Sequence, residues 1–421
     1  MAFGLSACGD DDEGGGGAPA GGEAQLDLVI GDSIPLSGDL SDFGPPGQKA
    51  ADIAIDEIQA AIDEAGVDHT VEIVHEDNAG GADQQAAVQA ARKLVDSDGA
   101  SCIAGAWASS DTIPTAEAVA IPEEVLLISP ASTSIDITGL EDDGLVNRVP
   151  PADNLQGPAL ADLIEDSIDG AEGKTLNIGA RNDAYGTGFA DAVQEAWEAK
   201  GGTVGERVEY DTKLPTYDTE AQQIVGGNPD AIAIIDFPET YNKVGPALVR
   251  AGFDPGIGFI TDGLATGDLP EAGDEATVGL RGTAPGTPEE GETAKAFDDL
   301  FTGSEPKDVD RQTFDGQNFD AVILCYLAAV AAGSTEGADM AAELQDITGP
   351  PGDKYTWEQL PEAIEALQNG DDIDYAGASG EIDLDENGDA TVGVYDQYEV
   401  TSNEEELFKP AGEQVPAESQ E

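Results

Sequence analysis

Basic residues are scarce in this chain: 17 Lys and Arg stand against 87 Asp and Glu in 421 residues, a formal charge of −70. A surface of that sign repels nucleic acid and anionic lipid headgroups, so neither is an expected partner. It also repels itself, and salt relieves this by shortening the screening length to about 3 Å near 1 M. The charge therefore predicts a protein that works in a salty medium. Histidine is scarcer still, with only His69 and His75 present. Gly31-Asp32-Ser33-Ile34 imitates the nucleophile block of a GDS-type hydrolase, but no histidine follows residue 75 to act as the base. No G-x-S-x-G elbow, no G-x-x-x-x-G-K-[ST] loop and no zinc-type Cys/His spacing occurs. The sequence thus predicts no catalytic residue, no metal and no cofactor. Asp383-x-Asp385-x-Asn387-Gly388 imitates a calcium loop, yet Val394 holds the place where an EF-hand needs a bidentate Glu. A hairpin turn is expected there instead.

Cysteine is nearly absent. Three residues do not build a disulfide framework, and Cys102, in a predicted strand, and Cys325, in a predicted helix, read as small buried apolar residues. Cys8 is different. Leu5-Ser6-Ala7-Cys8 has the form of a bacterial lipobox, although no basic n-region precedes it. The acidic and glycine-rich residues 9–17 suit a tether. Cys8 is therefore the expected lipidation site, giving contact with an envelope membrane through a lipid anchor only. The longest later apolar run, residues 321–332, is too short to cross a bilayer and reads as a buried helix. Aromatics are few, at 5%, but apolar residues at 40% still suffice for a core.

What is present is a regular alternation of strand and helix. Strands are predicted at 28–30, 71–74, 102–104 and 125–128, with a long helix carrying Ile55, Ile58 and Ile62 on one face and helices near 83–95 and 113–120. A second series follows: helix 155–168, strand 176–180, helix 189–200, strand 204–210, helix 220–225, strand 231–235, helix 241–251 and strand 258–261. Helices near 293–301, 314–332, 340–346 and 357–368 come next, then strands 381–384 and 390–398. Alternation of this kind implies parallel sheets covered on both faces. The expected fold is α/β, two doubly wound parallel-sheet lobes joined by a multi-crossing hinge. One lobe takes 26–148 plus 286–377, the other 149–285 plus 378–402. Residues 1–25 are an expected tether and 403–421 an expected acidic disordered tail.

Loops at the carboxyl ends of such strands are where open α/β folds place ligands. Ser109-Ser110 follows strand 102–104, and Ser129-Pro130-Ala131-Ser132-Thr133 follows strand 125–128. Hydroxyls and free N–H groups there can form an anion site, although helix capping alone would explain either motif.

Several segments together resemble the branched-chain amino-acid binding proteins of ABC importers. They are Ile34-Pro35-Leu36-Ser37-Gly38 with Phe43-Gly44, Gly105 to Ser110, Ile128 to Thr133, Arg181 to Gly188, Phe319-Asp320-Ala321-Val322, and Gly380 to Asp389. The resemblance spans residues 27–400 and implies the type I periplasmic-binding fold. It also implies roles. Ser110, with Ser109 adjacent, and Thr133 would take a ligand carboxylate by hydroxyl, aided by backbone groups at Ala131 and Ser132. Asp262 would meet the ligand ammonium. Phe43 and Tyr185 would flank the side-chain pocket. Asp236-Phe237 stands where relatives often carry tyrosine, so Asp236 would face either a polar ligand group or solvent. The implied partners are an amino acid or related solute and the permease subunits of an importer. An amide, urea or aromatic-acid receptor, or a sensory binding protein, is the implied alternative.

The charge generates the first prediction. The unfolding midpoint should rise steeply between low salt and molar KCl, followed by thermal unfolding. A flat or falling midpoint would remove the salty-medium reading.

Overall fold

The computed structural model describes residues 25–288, 292–403 and 406–419; Cys8 and its tether lie outside them. The first sheet holds β1 (Leu26–Ile34), β2 (His69–Asp77), β3 (Cys102–Ala104), β4 (Leu126–Ser129) and β5 (Val146–Arg148). Its order is β2-β1-β3-β4-β5, with every pairing parallel. β1 is central, and its last five residues are all buried, as a strand covered on both faces requires. Around it lie α1 (Gly44–Ala65), α2 (Gln84–Asp96) and α3 (Ser109–Thr115). α1 has prolines in its first turn and ends at left-handed Gly66, whose N–H closes on the Ile62 carbonyl.

After α4 (Asp153–Ser167), β6 (Thr175–Arg181) opens a second sheet and α5 (Ala184–Ala199) follows it. The sheet continues with β7 (Thr203–Tyr210), β8 (Ala231–Ile235), β9 (Gly258–Ile260) and β10 (Arg281–Pro285). The chain then returns to the first lobe. There the helix Asp315–Ala332 is buried along nearly its whole length and shares a core with Ile30 of β1 and Ile58 of α1. A small sheet of β11 (Asp353–Thr356), β12 (Ile373–Gly377) and β13 (Gly380–Glu381) sits beyond it. Finally β14 (Val392–Val400) rejoins the second sheet antiparallel to β10. Between the two main sheets the chain crosses after β5, after β10 and before β14. Both lobes are α/β with parallel sheets at their cores.

Two expectations are corrected. Residues of the expected disordered tail form β15 (Phe408–Pro410) and β16 (Val415–Glu418), both paired with β14. An edge strand offers unpaired N–H and C=O groups to any extended segment, and Phe408 packs edge-to-face on Tyr398 at 5.0 Å. The second correction concerns the cysteines. Cys102 and Cys325 are fully buried but are joined in a disulfide, with Cα atoms 5.9 Å apart. Their separation of 223 residues hid the contact, which exists because the helix Asp315–Ala332 lies across β3.

This cross-link should contribute about 2–4 kcal/mol. Reductant should lower the urea midpoint of the native protein. A Cys102→Ala/Cys325→Ala protein should start from the lower midpoint and ignore reductant. Equal midpoints in all samples would show that the bond carries no stability.

Candidate functional site

Loops leaving the carboxyl ends of β1, β3 and β4 face loops leaving β6, β8 and β9 across a closed cleft. The first lobe lines its cavity with Leu40, Phe43, Trp107, Ala108, Ser109 and Ala131. The second contributes Tyr185, Phe237, Asp262 and Gly263, and Phe314 enters at the start of the helix Asp315–Ala332. The turn after β3 depends on Gly105, at φ +130°, where a Cβ would lie 2.4 Å from the Ser33 carbonyl oxygen.

On the first-lobe side the serines are wired into the loops. The Ser109 hydroxyl accepts from the Thr133 and Ser134 amides, each at 3.2 Å. Ser129 accepts from the Ser132 amide at 3.0 Å and donates to the Ala106 carbonyl at 2.6 Å. Ser132 bonds the Trp107 carbonyl at 3.0 Å and Thr112 at 2.7 Å, so its side chain turns away into the protein. The Ser110 hydroxyl is buried without a hydrogen bond, while the Thr133 hydroxyl lies beside the Asp153 carboxyl and favours its charge. A buried polar atom in the state of the Ser110 hydroxyl is one a water or a ligand can satisfy.

The second-lobe side is acidic. The Tyr185 hydroxyl donates to Asp262 at 3.1 Å, shares a 2.7 Å bond with Thr261 and accepts from the Gly263 amide at 3.3 Å. Burial pushes Asp262 up to about 7, against the Tyr185 bond that favours its charge. Asp153, at the start of α4, is buried beside Thr133, whose carbonyl accepts from the Asp153 amide at 2.8 Å. Burial first, and the neighbouring Asp262 charge second, push it up to about 8.

The Phe237 ring is stacked between Tyr185, with centroids 5.0 Å apart, and the Arg181 guanidinium at 3.7 Å. Arg181 is fully buried and bonds Asp183 at 2.5 Å and Asp39 of the first lobe at 2.9 Å. Asp236 lies 3.9 Å from the same guanidinium and accepts from the Tyr210 hydroxyl at 2.8 Å.

Phe43, Ser109, Ala131, Tyr185, Phe237 and Asp262 thus come together around one cavity. Ser110, Ser132 and Thr133 lie just outside its lining. Asp236 is a correction: it faces neither cavity nor solvent, because Arg181 and Tyr210 hold it behind Phe237. The sequence reading assigned no role to Arg181, Asp39, Asp153, Trp107 or Phe314. Trp107 and Arg181 sit inside recognisable segments, so an aromatic and a cation there were visible signals. Asp153 follows a crossing loop and had none.

Elsewhere, His75 is clamped between Asp32 at 2.6 Å and Asp52 at 3.1 Å, while Ser33 is buried beside Asn78. On the small sheet, carboxylate oxygens of Asp374, Glu381 and Asp383 lie within 4.8 Å of one another. The Lys354 ammonium, 2.6 Å from Glu381 and 3.8 Å from Asp374, already answers that charge. Asp385 accepts from the Asn387 and Asp389 amides, which makes the expected turn.

The family model described as periplasmic binding protein matches residues 28–360. The chemotactic signal transduction system substrate-binding protein BasB of Halobacterium salinarum is 26% identical, over 85% of this chain and 83% of its own. The structure of a leucine binding protein LivK from Thermotoga maritima superposes with a TM-score of 0.71 at 23% identity, covering 93% of this chain and 99% of that one. A solute binding protein from R. palustris in complex with 4-hydroxybenzoate gives 0.73 at 17%, covering 94% and 98%. Both likenesses are of fold.

Besides Asp153 and Asp262, burial raises Asp42, Asp111 and Asp236 to about 7. An acid whose folded pKa exceeds its unfolded value near 3.9 binds more protons folded than unfolded. Stability therefore falls as pH rises from about 4 to about 8. At fixed molar salt the ligand-free protein should melt higher at pH 5 than at pH 8, and Asp153→Asn should flatten that slope. A midpoint rising over this range would contradict the buried-acid geometry.

Proposed function

The chain belongs to the periplasmic binding protein family, and from that premise we propose that it is an extracytoplasmic receptor delivering an amino acid to an ABC importer. The observation that carries this reading is the polarity of the cleft. One end offers the buried carboxylate of Asp262, which has no bonded cation among the described residues. The other end offers the buried Ser110 hydroxyl and the backbone near Ala131 and Ser132, with Thr133 following them in the same loop. Aromatic walls from Phe43, Trp107, Tyr185 and Phe237 lie between them. A zwitterion with an apolar side chain fits that order of groups, and a branched aliphatic side chain is the first choice. Ser109 shapes the carboxylate loop, and Asp236 acts through Arg181 to hold the Phe237 wall. Donors from one lobe and acids from the other give a bound ligand more contacts in the closed form than in the open one, which is what drives closure.

The amide, urea or aromatic-acid reading lacks a cation for Asp262. A sensory receptor is a second reading, supported by the relative that serves chemotaxis; it uses the same cleft. We place the protein on the outer face of the cell envelope, anchored by lipid at Cys8. The Cys102–Cys325 disulfide suits an oxidising compartment, and the acidic surface suits a salty one.

Asp262→Asn tests the site. Losing a charge that faces a buried ammonium should cost about 2–5 kcal/mol, roughly 30-fold to several thousand-fold in Kd. Calorimetric titration of both proteins with L-leucine, L-valine, a polar amino-acid set and 4-hydroxybenzoate reads it. Unchanged affinity for the best amino acid would overturn the assignment. Tight binding of 4-hydroxybenzoate alone would move the choice to an aromatic-acid receptor.

A further inference from the structure

Gly47 stands near the start of α1, where its φ is not positive and the backbone makes no demand for glycine. Glycine is also the poorest helix former apart from proline. The reason for it lies beside the helix. A Cβ at Gly47 would fall 2.5 Å from Cζ2 and 2.6 Å from Cη2 of Trp107, closer than carbon atoms approach without bonding. The indole ring is therefore sunk into the notch that Gly47 leaves in α1.

Trp107 is 1% exposed and also borders the cleft cavity. Phe43 and Phe314 pack on it, each with centroids 6.5 Å away. Interiors are close-packed and do not yield. Because Trp107 lines the cavity, a ring pushed off α1 would encroach on it.

We infer that Gly47 is a specificity-determining residue that acts without touching the ligand: it sets how far Trp107 withdraws, and so the size of the side chain the cleft admits. This rests on the reading that the cavity receives the apolar side chain of an amino acid. With glycine at 47 the pocket is at its deepest, which favours leucine-sized and larger side chains over small ones.

Gly47→Ala should therefore weaken L-leucine and L-phenylalanine more than L-valine and L-alanine. Because one methylene in an apolar pocket is worth about 10–200-fold, the leucine-to-valine Kd ratio should shift by about tenfold or more. Adding Trp107→Phe removes the ring atoms that meet the new methyl and should restore the larger ligands. Calorimetric titration with these four amino acids reads both variants. An unchanged ratio overturns the inference, and so does a shift that persists in the double variant. If the wild-type protein binds none of the four, the functional reading fails by itself. The inference is then decided on Trp107 emission, taken as the difference between Gly47→Ala and its Trp107→Phe counterpart. A changed emission supports the displaced ring, and an emission equal to the wild-type difference overturns it.

Discussion

Shortage of positive charge governs this structure. With 17 cations for 87 acids, a buried arginine must neutralise several carboxylates at once. Arg181 does so for Asp39, Asp183 and Asp236, and Arg148, equally buried, binds Asp389 and the Ser134 carbonyl. Each joins distant parts of the chain. Arg181 ties the mouth of the second lobe to the β1 loop of the first, and Arg148 ties the end of β5 to the last crossing. Breaking such a pair leaves uncompensated charge in a dry interior, which is costly. The lobes are held in register at these points.

The same shortage shapes the cleft by omission. Among the described residues, Asp262 and Asp153 are buried without an arginine or lysine bonded to them, and burial raises both acids, so each keeps its proton to higher pH than a solvated carboxyl. Tyr185 orients one carboxylate, and the first turn of α4 favours the charge of the other. On the proposed reading, a ligand bearing a cationic group would be favoured there before shape is considered, since it answers the acid that it desolvates.

Much of the architecture was legible because strand and helix periods are local properties. β8 was readable to the residue from its unbroken apolar run, and the loops carrying Phe43, Ser109 and Asp262 followed from their places after strands. What escaped was short or long-range. β5 and β12 are too brief or too mixed in composition to stand out. The tail strands are defined by the edge they pair with, not by their own residues. Asp39 and Arg181 are 142 residues apart, and no periodicity announces their bond. Asp153 reads as an ordinary first-turn acid until the structure sets Asp262 beside it. The sequence left Asp236 facing either a polar ligand group or solvent for a related reason: its neighbour Arg181 was not visible from the strand end on which it sits.

The helix Asp315–Ala332 has one more consequence, concerning the order in which the molecule can be completed. It covers a face of the first sheet, yet it is encoded after the whole of the second lobe. As the chain elongates, β1 to β5 emerge early and must wait with an apolar face open. The β6 to β10 segment meanwhile has its own helices at hand and can condense. Contacts of such long sequence separation form slowly, and an open sheet face is prone to association with other chains. The older half of the molecule is thus the later to mature, and its vulnerable interval lasts until the chain has been delivered as far as Ala332.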